Sequence, residues 1–117
     1  MAPTTPPTRL LVLGDGLSDS GRFGELTDNA YPPSPPFHNG RWTNGPTWVE
    51  TLATLLGWTL DPDDNLAQGG ATTGRLNINE PLRSALQLGP EAPIRGVLTQ
   101  ADALAEREEL DPTALHV

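Results

Sequence analysis

Chemistry in this 117-residue chain would start at Gly14-Asp15-Gly16-Leu17-Ser18-Asp19-Ser20-Gly21, where a short apolar run ends in a turn rich in Gly, Asp and Ser. A turn that carries a strand into a helix leaves backbone N–H groups without helical partners, and such groups can hold an anion or a developing oxyanion. Ser18 offers a hydroxyl, and Asp15 and Asp19 offer carboxylates. If a helix begins here, Ser18 lies two residues beyond Gly16, rotated by roughly 200° and aimed elsewhere. Ser18, Asp19 and Ser20 therefore read as caps or solvated groups at the helix start, and Asp15 and Asp19 as hydrogen-bonding turn residues rather than metal ligands.

A second turn follows at Gln68-Gly69-Gly70-Ala71. Gly70 suits a backbone that must approach a ligand closely, and it equally suits a plain turn. His38, in a loop of Pro, Asn and Gly, and His116 both read as structural or solvent-facing. Trp42 and Trp48 flank Asn44-Gly45-Pro46. Trp48 begins an apolar helical pattern and reads as core, while Trp42 stays open between groove wall and packing. No His and carboxylate residues stand at ligand spacing, so neither a metal nor a cofactor is expected.

Elements must position these turns. Residues 1–8 read as a loose lead-in of Pro and Thr. Leu10-Leu11-Val12-Leu13 is a continuous apolar run, as in a parallel strand covered on both faces. Residues 21–45 read as a long surface loop, with Tyr31 to Phe37 extended by its prolines. With Pro46 in a first helical turn, Trp48, Val49, Leu52, Ala53, Leu55 and Leu56 predict a helix with one apolar face, stopped by Gly57. Asn65-Leu66-Ala67-Gln68 reads as a short second strand. Residues 74–93 give no clear pattern. Ile94, Val97, Leu98, Ala101, Leu104 and Ala105 predict a second amphipathic helix over 94–109, its other side carrying Asp102, Glu106, Arg107 and Glu109. Asp111-Pro112 would break it, and Ala114 to Val117 reads as a third strand. Strands alternating with helices imply an α/β fold built on a parallel sheet, and this sheet reads as unfinished.

Length allows one domain. With 15 acidic against 7 basic residues, a formal charge of −8 repels phosphate backbones and anionic lipid, which argues against nucleic-acid and membrane-surface partners. The absence of cysteine removes thiolate catalysis and disulfides. No basic stretch followed by a long apolar run opens the chain, so membrane insertion is not expected. The sequence as written reads as cytoplasmic, and as secreted if its true N-terminus is longer.

Leu11-Val-Leu-Gly-Asp-Gly-Leu-Ser-Asp-Ser-Gly21 resembles the opening block of the GDSL (SGNH) ester hydrolases, an apolar strand followed by Gly-Asp-Ser-Leu-Ser-Asp. Tyr31 to Glu50 and Asn65 to Gly74 fit the same family in order, and the later stretch with Gln100 and Asp111 to Val117 is similar to the approach to its third block, so the likeness covers residues 9–117. It implies the N-terminal part of a three-layer, flavodoxin-like α/β domain that hydrolyses carboxylic esters by serine acyl transfer, with a small-molecule ester as substrate. Gly16 then stands at the nucleophile position, able to contribute only its backbone N–H, and Gly70 at the oxyanion-hole glycine of the second block. Asp15, Ser18 and Asp19 take supporting places. The Asn donor of the family's third block and its Asp and His pair do not occur. The chain accordingly reads as truncated and inactive alone. Alternatives are one half of a split hydrolase completed by a separate C-terminal half, a non-catalytic ligand binder, or a decayed remnant.

Overall fold

The computed structural model describes residues 8–107 and 114–117. It places β1 at Arg9–Leu11, α1 at Arg22–Leu26, α2 at Trp48–Leu56, a 3-10 turn at Pro62–Asp64, α3 at Leu82–Ala85, α4 at Val97–Glu106 and β2 at Ala114–His116. β1 and β2 pair in parallel, with Arg9 opposite Ala114, Leu10 opposite Leu115 and Leu11 opposite His116. The expected second strand is reduced to a parallel bridge between Val12 and Asn65. Leu66 N–H donates to Val12 O at 2.8 Å and Gln68 N–H to Gly14 O at 3.1 Å, so the segment still runs beside β1. The described fold is α/β.

Alternation along β1 sends side chains to two faces. Leu10 and Val12 pack with Val49 and Ala53 of α2 and with Ala67, while Leu11 packs with Leu66 and with Leu104 of α4. Two helices thus cover the strand from opposite sides. That explains an apolar run without polar alternation.

α2 starts where Thr47 N–H donates to the Glu50 carboxylate at 2.7 Å, a capping box, and ends at Gly57 in the left-handed conformation with φ 73°. Pro46 precedes the cap and lies outside the helix. The single apolar face expected here is split. Val49 and Ala53 are buried, but Trp48 is 50% and Leu55 79% exposed. At ~100° per residue, Trp48 and Leu55 fall about 100–120° round the axis from Val49 and miss the sheet. Trp48 is therefore not core.

α4 begins at Val97, not Ile94, because Gly96 holds an extended backbone before it. Its buried row is Gln100 and Leu104, with Leu98 turned outward. Position 109 and the Asp111-Pro112 break lie outside the described residues, as do residues 1–7 of the lead-in. The expected loop over 21–45 opens instead with α1, anchored by the fully buried Phe23. Within it, Tyr31 to Phe37 is turned rather than extended: Phe37 N–H donates to Pro33 O at 3.1 Å, and the Phe37 ring packs edge-on against Trp42.

Candidate functional site

The turn after β1 is closed by its own aspartate. Asp15 O accepts from Ser18 N–H at 3.1 Å and Asp19 N–H at 3.0 Å, and the Asp15 carboxylate accepts from Leu17 N–H at 3.1 Å. Gly14 is pinned from α4: its N–H donates to Gln100 Oε1 and its carbonyl accepts from Gln100 Nε2, both at 2.9 Å. One buried amide side chain thus fixes where the strand ends and the turn begins.

Asp19 ties two turns together. Its fully buried carboxylate accepts backbone N–H groups from Gly21 at 2.9 Å, Arg22 at 2.7 Å and Phe23 at 3.3 Å, holding the first turn of α1, and from Gly69 at 2.8 Å. Burial pushes the Asp19 carboxyl above its ordinary value, and these four N–H bonds work against that rise. Its position brings Gly69 and Gly70 beside Gly16.

The second turn is built by two asparagines. Buried Asn77 donates to Gly69 O and to Arg95 O, each at 3.0 Å, and accepts from Asn79 N–H at 2.8 Å; Asn79 Nδ2 donates to Gly69 O at 3.1 Å. Gly70 has φ 83°, and a Cβ there would lie 2.5 Å from both amide groups, so no side chain fits. Gly69 is equally constrained, since a Cβ would come 2.1 Å from Trp42 Nε1.

Between the turns lies a pocket of about 400 Å³, lined by Asp15, Gly16, Leu17, Trp42, Gly69 and Gly70 and flanked by Ala71, Thr72, Ile78 and Asn79. Gly16 and Gly70 share this wall, and neither N–H has an acceptor among the described residues. Trp42 forms the floor, leaning on Phe23 with ring centroids 6.1 Å apart and on Phe37 at 5.7 Å, its indole N–H buried without a hydrogen-bond partner among the described residues. Leu17 and Ile78 stand at the mouth, 70% and 74% exposed. The arrangement offers two backbone donors at one end of an apolar trough.

Ser18 does not join it. Its Oγ accepts the indole N–H of Trp48 at 2.9 Å, and its carbonyl accepts from Asn65 Nδ2 at 2.8 Å. Nor does either histidine line the pocket: His38 and His116 are exposed elsewhere. Among the described residues, no group of three or more His, Cys, Asp or Glu side chains could hold a metal ion. Sequence reasoning missed Gly69, Asn77, Ile78 and Asn79. The signal for the last three was the polar–apolar–polar alternation of Asn77-Ile78-Asn79, too short to stand out in a region without regular pattern.

No protein-family model matches the chain. The chain is similar to the phosphatidylcholine-sterol acyltransferase of Aeromonas hydrophila, 38% identical over 71 residues, which are 60% of this chain and 20% of that protein. It is also similar to the secreted effector protein SseJ of Salmonella typhimurium strain LT2, 44% identical over 69 residues, 56% of this chain and 16% of that protein. The chain thus spans a fifth or less of the length of the curated relatives it matches.

Proposed function

We propose that this chain carries the acyl-ester end of a GDSL (SGNH) hydrolase site, on the N-terminal part of a three-layer, flavodoxin-like domain, with the nucleophile replaced by Gly16. The observation that carries the reading is the pocket in which Gly16 and Gly70 share one wall, both with N–H groups free of acceptors among the described residues, above an apolar floor. Two such donors suit an ester carbonyl oxygen as it gains negative charge. Leu17, Trp42 and Ile78 would take the hydrocarbon side of the ester. The similarity to a protein named as an acyltransferase supports acyl chemistry.

Catalysis by acyl transfer needs an oxygen at position 16, and glycine has none. Ser18 is occupied by Trp48 and lies outside the pocket wall. The chain is expected to show no hydrolysis of short-chain nitrophenyl esters above background. Turnover that survives repurification and disappears in Ser18→Ala would overturn this assignment. A second reading, ligand binding without turnover, is favoured by the exposure of Leu17 and Ile78 at the mouth of an otherwise built pocket. Saturable binding of a nitrophenyl ester without product release, lost in Gly70→Ala, supports it.

The fuller test compares four preparations, with and without Gly16→Ser and with and without a C-terminal half from a related enzyme, read by hydrolysis and by fluorophosphonate labelling. Nucleophile, base and orienting acid act as a unit, so the serine alone should recover little. Activity confined to the doubly restored preparation is the expected result.

A further inference from the structure

All seven cationic side chains of this chain are arginines, set against 15 acidic residues. In so acidic a chain most guanidinium groups find a carboxylate. Arg9 and Arg107 share Asp64, Arg41 pairs with Glu50, Arg75 with Asp102 and Arg83 with Glu80. Arg22 and Arg95 have no carboxylate partner among the described residues, and both line the same cavity, of about 590 Å³, between α1, the 3-10 turn and α4.

Each is held in place. Arg22 is half-buried, its Nε donating to Asn65 O at 2.8 Å and its Nη2 to Pro62 O at 3.2 Å. Carbonyl partners orient the guanidinium, and the carboxylates of Asp19, Asp63 and Glu25 act on it without a direct ion pair. Arg95 has its backbone clamped on both sides, its N–H donating to Gln68 Oε1 and its carbonyl accepting from Asn77, while its side chain makes no hydrogen bond among the described residues. Burial, and then the positive charge of Arg95, pull the Arg22 guanidinium below its ordinary value.

We propose that this cavity is a binding site for a phosphoryl group, gripped between the guanidinium groups of Arg22 and Arg95. Two planar forks facing one space suit a tetrahedral anion, which presents oxygens to both; a carboxylate is saturated by a single fork. An adjoining cavity of about 530 Å³ shares Arg22 and Asp63 and gives room for the rest of a phosphate ester. Asp63 and Glu106 also line the arginine cavity and oppose the anion, which keeps affinity modest and gives charge substitutions there a readable sign. Neither arginine lines the pocket of Gly16, so the site stands independently of the ester reading.

The test titrates the full 117-residue chain near neutral pH with inorganic phosphate and with glycerol 3-phosphate, against sodium chloride at matched ionic strength, following the arginine Nε–H signals by NMR. Saturable shifts of the Arg22 and Arg95 signals are expected. Arg95→Gln should weaken binding about tenfold or more and Asp63→Asn should strengthen it, whereas Arg75→Gln, at an ion pair outside the cavity lining, should change nothing. Thermal stabilisation by phosphate, lost in Arg95→Gln, is a second readout that needs no assignments. A parallel arm sediments the chain with phosphatidylcholine vesicles containing phosphatidic acid. Binding that Arg95→Gln abolishes there identifies a lipid headgroup, and binding confined to the soluble arms identifies a free phosphate ester. Shifts that fail to saturate, or that are equal in Arg95→Gln and Arg75→Gln, overturn the site.

Discussion

At the residue scale, the positions around the pocket differ sharply in what they tolerate. A Cβ added at Gly16 would lie 3.4 Å from Trp42 Cγ, ordinary contact, whereas at Gly70 it would lie 2.5 Å from two asparagine side chains on a backbone already at φ 83°. Gly16→Ser should therefore fold with a urea midpoint within error of the parent, so that any failure to hydrolyse esters reflects missing chemistry rather than a damaged fold. Gly70→Ala should cost about 1–3 kcal/mol through the left-handed backbone and the displaced amides. A Gly70→Ala variant as stable as the parent would mean that this turn is free to rearrange. Gly16 and Gly70 stand out in the sequence only through the resemblance of their two blocks to the GDSL family, because a turn glycine by itself suits a plain turn as well. Trp42 as floor and Gly69 beneath the indole do not stand out, because both depend on a contact between residues 27 positions apart.

At the scale of elements, what was legible followed backbone rules with local causes. Gly57 stops α2, the Leu10 to Leu13 run begins in β1 and is covered on both faces, and Ala114 to His116 is the parallel neighbour of β1. Errors arose where side-chain type misled about burial. Trp48 and Leu55 belong to an apolar sequence but face outward, and Gln100, a polar residue in an apolar pattern, is fully buried in α4. The amide of Gln100 satisfies both backbone groups of Gly14, a long-range pairing that periodicity cannot reveal. Gln100→Ala should leave Gly14 N–H unpaired, costing about 1–3 kcal/mol if it finds no water, while Gly14 O keeps the bond from Gln68 N–H. Gln100→Glu should cost more, because its carboxylate, though still able to accept from Gly14 N–H, would be a fully buried charge facing Gly14 O. Chemical denaturation of the three proteins checks that order, and equal loss in both variants would exclude the buried contact with Gly14 O.

At the scale of the whole molecule, the ion pairs at Asp64 join distant parts of the chain, and paired carboxylates set its response to acid. Asp64 joins the N-terminal strand to the end of α4. The hydrogen bonds from Arg9, at 2.7 and 2.8 Å, hold its carboxyl below the ordinary value despite opposing burial, and Arg107 adds to them. Burial works to raise Glu50, but Arg41 and the Thr47 cap outweigh it and leave Glu50 low as well. A carboxyl whose folded value is depressed adds stability above its unfolded value, about 4, and that stability is lost as pH falls through the folded value. Asp19 works in the opposite sense. Its raised value adds stability below the unfolded value, and this is lost as pH rises through the folded one. Asp64 and Glu50, with Glu80 that Arg83 also holds low, predict a loss of stability on acidification below about pH 4, which Asp19 opposes. Asp64→Asn isolates one contributor: near neutral pH it should cost about 1.5–3 kcal/mol, the range for hydrogen bonds to charged groups. The difference from the parent should shrink steadily as pH drops, because acid removes the same charge from the parent. Urea midpoints measured in steps from neutrality to strong acid check this, and a difference that stays constant across the series would show that Asp64 acts by packing alone.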